Sequence, residues 1–260
     1  MSSLVPGFEY DIFISYRHKD NKYDGWVSDF VANLKRELDA TFKEEISVYF
    51  DENPTDGLLE THNVDKSLQL KLKCLIFIPI VSQTYCDPKS FAWQHEFCTF
   101  NRMAKADPIG RDIKLKNGNF ASRILSIKIH SLDPKDKSLI ENELGEILRS
   151  IDFIFKSSGV NRPLRSNEDH PQDNINRTFY RDQLNKVANA VKEIISSVRG
   201  EDVEETGATM TTSVPVTKAV RRITNRPLVM TLVALVALVA LIALVALIAL
   251  IALVALIALD

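Results

Sequence analysis

The last part of the chain is an uninterrupted apolar repeat. From Leu232 to Leu259 the sequence consists of nine Leu-(Val/Ile)-Ala triplets and a final Leu, 28 residues without a polar side chain. At about 1.5 Å per residue, a helix of this length spans roughly 42 Å, more than the hydrocarbon core of a bilayer at about 30 Å. A helix that is apolar on all sides needs either lipid or a large protein body around it. The repeat therefore predicts one transmembrane helix.

A basic stretch lies just before this repeat. Its members are Lys218, Arg221, Arg222 and Arg226. Positive side chains beside a membrane span stay on the cytoplasmic side, so we expect a single-pass, C-terminally anchored protein with the preceding domain in the cytoplasm.

The segment between the domain and the basic stretch is acidic and then continues as a stretch of Thr, Ser and Pro, with little apolar surface to bury, which is typical of a flexible linker. We therefore divide the chain into a folded domain at residues 1–199, a linker with the basic stretch at residues 200–227, and the membrane helix at residues 228–260.

Charge and cysteine content exclude several classes of protein. Lys and Arg number 32 against 34 Asp and Glu, for a net charge of -2, so a nucleic-acid binder that depends on excess positive charge is excluded. Cys74, Cys86 and Cys98 are odd in number and form no Cys-x-x-Cys pair, and the five His have no ligand-like spacing. We expect no disulfide framework and no metal site.

The first 199 residues alternate between short apolar runs and amphipathic stripes. The runs predict strands at residues 10–16, 46–50, 74–81, 124–129 and 151–155. The stripes predict helices at residues 26–38, 64–73, 90–103, 139–148 and 179–198. This alternation is typical of an α/β protein with a flavodoxin-like open parallel sheet and helices on both faces. It leaves two long loops, at residues 104–122 and 156–177.

Three of the apolar runs match, in the same order along the chain, the first three strands of a known domain family. The run Tyr10-Asp-Ile-Phe-Ile-Ser-Tyr-Arg17 resembles the first box of Toll/interleukin-1 receptor (TIR) domains, in which a buried strand brings a Ser and a basic residue to the edge of the sheet. Val48-Tyr-Phe-Asp51 with Gly57 is similar to the second strand of that family and the loop after it, and residues 74–82 resemble the third strand.

Trp93 and Glu96 resemble the Trp and Glu of the helix that follows in TIR domains. The family usually places Glu four residues after Trp, whereas here Glu96 comes at three and Phe97 at four. Both steps lie on one helix face. The resemblance covers about residues 8–198 and is to TIR proteins of the bacterial type.

Many TIR domains hydrolyse NAD+, and the resemblance implies the same activity here, with NAD+ as a substrate and no cofactor. Cleavage of the bond between nicotinamide and ribose develops positive charge on the ribose. Nicotinamide leaves from a cationic pyridinium and needs no proton, so one carboxylate can stabilise the charge. Glu96 is the catalytic candidate. The alternative is a solvated carboxylate on a helix that packs through Phe97 and Phe100.

Candidate binding residues follow from where the strands end. Ligands of open α/β sheets bind beyond the carboxyl ends of the strands, where Ser15, Tyr16 and Arg17 end the first strand and Asp51 follows the second. Ser15 is expected to hydrogen-bond the dinucleotide and Arg17 to bind a phosphate. Asp51 is expected to contact a ribose or a second domain. Trp93 is a candidate stacking surface, but the core spacing of its neighbours favours a core position for the indole. The alternative for Ser15, Tyr16 and Arg17 is loop structure in contact with solvent.

Two functions follow. The first is a membrane-anchored TIR NAD+ glycohydrolase that releases nicotinamide and ADP-ribose, linear or cyclic, becomes active on assembly with other TIR domains, and acts in immune or antiphage defence signalling. The second is a non-enzymatic scaffold that signals through contacts between TIR domains. The expected partners of the protein are NAD+, further TIR domains and membrane lipid, and no nucleic acid. A pore-forming helix ranks last, because the repeat carries no polar stripe to line a pore.

Overall fold

A computed structural model describes residues 2–51, 64–166 and 173–200. Gly57, the linker beyond Gly200 and the apolar repeat lie outside these residues, so the expectations that concern them stay predictions. Within the described ranges, no helix combines the length and the apolar character that crossing a membrane requires.

The described residues form nine strands. They are β1 (Tyr10–Ser15), β2 (Val48–Tyr49), β3 (Cys74–Val81), β4 (Asp112–Lys114), β5 (Phe120–Ser122), β6 (Ser126–Lys128), β7 (Ser150–Asp152), β8 (Ile154–Ser157) and β9 (Val160–Pro163). The α-helices of the same ranges are α1 (Trp26–Thr41), α2 (Val64–Lys71), α3 (Cys98–Ala106), α4 (Pro134–Leu144) and α5 (Asp173–Arg199). A π-helical turn, Ala92–Phe97, leads directly into α3.

Five parallel strands form the central sheet in the order β2-β1-β3-β6-β7. Counting only these strands, the order is the 2-1-3-4-5 arrangement of flavodoxin-like sheets. The predicted fold class of the domain is therefore confirmed. In this topology the strand order reverses between β1 and β3, and their carboxyl ends lie side by side.

The centre of the sheet is apolar because β3 is covered on both faces. Every residue of Cys74–Val81 is buried, as parallel sheets with helices on both sides require. In the register of β1 against β3, Ile12 pairs with Ile76 and Ile14 with Ile78.

Helices cover each face of this sheet with a separate apolar layer. On one face, Trp26 and Phe30 of α1 pack with Phe153 and with Val187 of α5. On the other face, the rings of Phe13 and Phe77 stack, and Phe77 stacks in turn on Phe100 of α3. The π-helical turn belongs to this second layer.

The two segments expected to be long loops contain antiparallel hairpins instead. β4 pairs with β5, and β8 pairs with β9. The loop prediction was wrong there because strands of three or four residues show too few alternations to stand out in the sequence. The turn of the first hairpin passes through Gly118, whose φ of +86° favours glycine.

The bounds of α4 also differ from the predicted residues 139–148. The helix begins at Pro134, since proline is well suited to a first turn, and ends before Gly145, whose φ of +77° places it in the left-handed conformation that terminates helices. Local termination signals here outweigh the apolar pattern.

A buried carboxylate at the start of β1 joins three segments of backbone. Asp11 is fully buried, and each of its oxygens accepts two hydrogen bonds. Oδ1 accepts from Ser3 Oγ at 2.6 Å and from the Leu4 amide at 2.8 Å. Oδ2 accepts from the Ser47 amide at 2.8 Å and from Ser47 Oγ at 2.7 Å. Asp11 therefore attaches the N-terminal segment and the entry to β2 to the first strand.

Candidate functional site

The side chain that ends β1 lies against the predicted catalytic carboxylate. Ser15 Oγ donates a hydrogen bond of 2.6 Å to Glu96 Oε2 and lies 2.8 Å from Tyr85 Oη. Ser15 and Tyr85 are both fully buried, whereas Glu96 is partly exposed. The three residues come from the end of β1, the turn after β3 and the π-helical turn. The partly exposed carboxylate of Glu96 therefore lies at the carboxyl edge of the sheet, where it is hydrogen-bonded to a buried hydroxyl.

The direction of the two hydrogen bonds follows from counting protons. A serine hydroxyl has one hydrogen, and an ionised carboxylate can only accept. Since Ser15 donates to Glu96, the hydrogen between Ser15 and Tyr85 comes from the tyrosine. Burial, and secondly the charge of Glu96, raise the pKa of Tyr85 well above its ordinary value. The phenol therefore stays protonated, and the chain of donors runs Tyr85 to Ser15 to Glu96.

The π-helical turn decides how Glu96 reaches this edge. Trp93 and Phe97, four residues apart, are both buried with their ring centroids 5.0 Å apart. Glu96, three residues after Trp93, lies at the border of that apolar face and contacts Ser15. The three-residue spacing thus places the carboxylate at the sheet edge, because the four-residue position is taken by a core phenylalanine.

Trp93 itself lies in the core and is only 5% exposed. Its ring meets the Tyr85 ring edge-on at a centroid distance of 6.5 Å, and its backbone amide donates a hydrogen bond of 3.1 Å to Ser90 Oγ. The structure therefore places the indole at the core position that the spacing of its neighbours favours over a stacking surface. Its contact with the site runs through Tyr85.

Tyr16 and Asp51 are brought together by a hydrogen bond between the ends of β1 and β2. Tyr16 Oη donates to the Asp51 carbonyl oxygen at 2.6 Å, and the Tyr16 ring packs against Phe50 and His18. The Tyr16 ring is buried and Asp51 is partly exposed. This bond fixes where the chain leaves β2.

Arg17 is the cation nearest to Ser15 in the sequence, and its side chain is 21% exposed. Its Nη2 lies 3.7 Å from Asp87 Oδ2. Among the described residues, no hydrogen-bond acceptor meets its buried Nε. The guanidinium therefore lies at the same edge of the sheet with donor capacity that the described chain does not fully use.

A second polar cluster at this edge escaped the sequence analysis. Asp20 accepts hydrogen bonds from Ser82 Oγ and, at 2.8 Å, from Thr84 Oγ1. Ser82 Oγ also accepts from the Tyr85 amide at 3.0 Å. Burial raises the pKa of Asp20, an effect that these hydroxyl donors partly oppose. The cluster holds the turn that carries Tyr85.

His130 lies close enough to Asp20 for their charges to interact. Burial lowers the pKa of His130, while the charges of Asp20 and Asp24 act in the opposite direction. The Nδ1 atom is buried and has no hydrogen-bond partner within the described part of the chain.

One signal in the sequence could have found this cluster. Ser82 comes directly after β3, and His130 follows two residues after β6. Because carboxyl ends of parallel strands meet at one edge, polar residues that follow each buried strand are candidates for a shared site. Asp20 gives no such signal, since it lies in the 3-10 turn His18–Asp20.

Comparison with known proteins gives one kind of match. No protein-family model matches the chain, and neither does any curated protein. Among solved structures, the chain is similar to the TIR domains in the activated Roq1 resistosome directly recognizing the pathogen effector XopQ, with 13% identity and a TM-score of 0.32 over 74% of this chain and 98% of that one. Function is therefore inferred from the sequence motifs and the side chains of the site.

Proposed function

We propose that this chain is a membrane-anchored TIR-type NAD+ glycohydrolase whose catalytic residue is Glu96. The observation that carries the proposal is the 2.6 Å hydrogen bond from buried Ser15 to the Glu96 carboxylate. It orients an acidic side chain at the edge where flavodoxin-like sheets bind nucleotides.

The reaction requires little from the protein. The bond between the ribose C1′ and the nicotinamide nitrogen breaks, and its electron pair leaves with neutral nicotinamide. Positive charge then develops on the ribose, as in other glycosidic cleavages. Water adds at C1′ and loses a proton to give ADP-ribose, or an adenine nitrogen adds instead and gives a cyclic product.

Glu96 would act by electrostatics in this scheme. A carboxylate held in place before the reaction stabilises the charge on the ribose without having to reorganise. Ser15 holds one carboxylate oxygen, so that the group has a defined direction. Partial exposure leaves it accessible to a ligand.

The remaining predicted residues have supporting roles. Arg17 carries a guanidinium at the same edge and would bind the diphosphate of NAD+, since guanidinium groups pair well with phosphate oxygens. Asp51 would meet a ribose or a second domain. Tyr16 and Trp93 act from within the fold, because both rings are buried.

The apolar repeat at residues 228–260 would confine the domain to a membrane surface. Confinement raises the effective concentration of one domain around another without any new contact. The proposed activity would therefore depend on surface density, with assembly of TIR domains as its switch in defence signalling.

The test uses the full chain reconstituted in lipid vesicles at low and at high surface density. NAD+ is added, and released nicotinamide is separated and quantified. We expect release at high density, and its loss in Glu96→Gln, which keeps the size of the side chain. Glu45→Gln is the matched control, because Glu45 is exposed and precedes β2 at the opposite edge of the sheet.

Two results would contradict the proposal. NAD+ that stays intact at every density would leave the scaffold as the function. Equal nicotinamide release by Glu96→Gln and Glu45→Gln would remove Glu96 from the reaction.

A further inference from the structure

We infer that Tyr85 is a positioning residue, which fixes the Glu96 carboxylate through the hydroxyl of Ser15. The catalytic importance of this arrangement rests on the proposed function, but the arrangement itself can be tested without it.

The geometry supplies a continuous chain of hydrogen bonds. Tyr85 Oη and Ser15 Oγ are 2.8 Å apart, and Ser15 Oγ and Glu96 Oε2 are 2.6 Å apart. A hydroxyl that accepts one hydrogen bond becomes a stronger donor in the next, particularly where water is excluded. Both hydroxyl-bearing residues are fully buried. The phenol of Tyr85 therefore strengthens the bond that Ser15 makes to Glu96.

Without that phenol, the Ser15 hydroxyl would lose its defined rotation. A serine hydroxyl rotates to suit its partners. Tyr85 occupies the acceptor side of Ser15 Oγ, which leaves the hydrogen of Ser15 directed at the carboxylate. Loss of the phenolic hydroxyl would allow other rotations and would weaken the hold on Glu96.

Tyr85 is itself held by two independent contacts. Its amide donates to Ser82 Oγ at 3.0 Å, and Ser82 in turn donates to Asp20. Its ring packs edge-on against Trp93 and Phe97, at centroid distances of 6.5 Å and 6.2 Å. Phenylalanine keeps these ring contacts, so Tyr85→Phe removes the hydroxyl alone.

The first arm of the test is kinetic. In the full chain at clustering density, Tyr85→Phe should lower kcat about threefold to tenfold, the range for one hydrogen bond, with KM unchanged. The acid limb of the kcat profile should move to higher pH, because the carboxylate loses part of its support. Tyr180→Phe is the matched control, since Tyr180 is a buried tyrosine of α5 whose hydroxyl accepts a hydrogen bond from the Asn33 side chain.

The second arm needs no activity. Unfolding of the full chain in detergent is followed by tryptophan fluorescence, which reports on Trp26 and Trp93 because the chain has two tryptophans in total. The variants are Tyr85→Phe, Glu96→Gln and the pair. We expect the effect of the pair on the folding equilibrium constant to differ by about twofold or more from the product of the two single effects. When the same variants are made in Ser15→Ala, the two effects should be independent.

Additive effects in the presence of Ser15 would overturn the inference, and so would a kinetic effect of Tyr85→Phe no larger than that of Tyr180→Phe. If the chain releases no nicotinamide, the second arm still decides whether Tyr85 positions Glu96. Failure of the proposed function is thereby separated from failure of the inference.

Discussion

Ser15 and Glu96 are 81 positions apart in the chain, and a hydrogen bond of 2.6 Å joins them. One is the last residue of the buried strand β1, and the other belongs to the π-helical turn that is the next element after the neighbouring strand β3. Single π-helical turns inserted in helices are frequent at functional sites. This one carries the acidic residue to the edge of the sheet while its neighbours Trp93 and Phe97 remain in the core.

Replacing Ser15 by alanine should reduce NAD+ cleavage more than it reduces folding. Glu96 loses a donor, and a hydrogen bond to a charged group corresponds to about tenfold or more in rate. We expect kcat to fall by that amount after correction for the folded fraction. The control is Ser196→Ala, a buried serine of α5 on the other face of the sheet. Equal kcat in the two variants would show that Ser15 does not support the carboxylate.

Asp11→Asn should destabilise the domain strongly. Each carboxylate oxygen accepts from a backbone amide, Leu4 on one side and Ser47 on the other. Whichever oxygen becomes an NH2 group therefore faces another donor. We expect a loss of about 2 to 4 kcal/mol in the free energy of unfolding, measured by denaturant titration. Asp39→Asn, at an exposed position of α1, should change it by less than about 0.5 kcal/mol.

Acidification should destabilise the domain through His130. Because burial lowers its pKa in the folded state, the unfolded chain binds this proton more readily. The stability contribution is therefore complete above the ordinary histidine pKa of about 6.5 and is lost as pH falls from there towards the lower folded value. Asp20, whose pKa is raised, acts with the opposite sign above the ordinary aspartate range.

The measurement compares the free energy of unfolding at pH 7.5 and at pH 5.5 in the wild-type chain and in His130→Asn. We expect the wild type to lose more stability between these two values than the variant. An equal loss in both proteins would show that other groups govern this pH dependence.

Deletion of residues 228–260 should release the protein from membranes. The repeat carries no polar side chain from Leu232 to Leu259, and its transfer out of lipid would expose every one of those residues to water. We expect the full chain to remain in the membrane fraction after an alkaline wash and the shortened chain to appear in the supernatant. Recovery of the full chain in the wash would contradict the predicted anchor.

Part of this protein could be derived from local patterns alone. The apolar residues of Cys74–Val81 leave few alternatives to a strand buried on both faces, and the four-residue steps of Trp26, Phe30 and Leu34 define α1. Alternation of such elements was sufficient to obtain the flavodoxin-like sheet. The two hairpins were missed because they depend on pairing between segments that carry little periodicity.

The amino-acid sequence by itself therefore determined the strands of the central sheet, the helices that cover it and the side chains that follow those strands, because each depends on residues within a few positions. Only the tertiary structure decided that Tyr85, Ser15 and Glu96 meet. Those contacts join residues far apart in the chain. They are set by the register of β1 on β3 and by the packing of a π-helical turn, and neither leaves a local pattern.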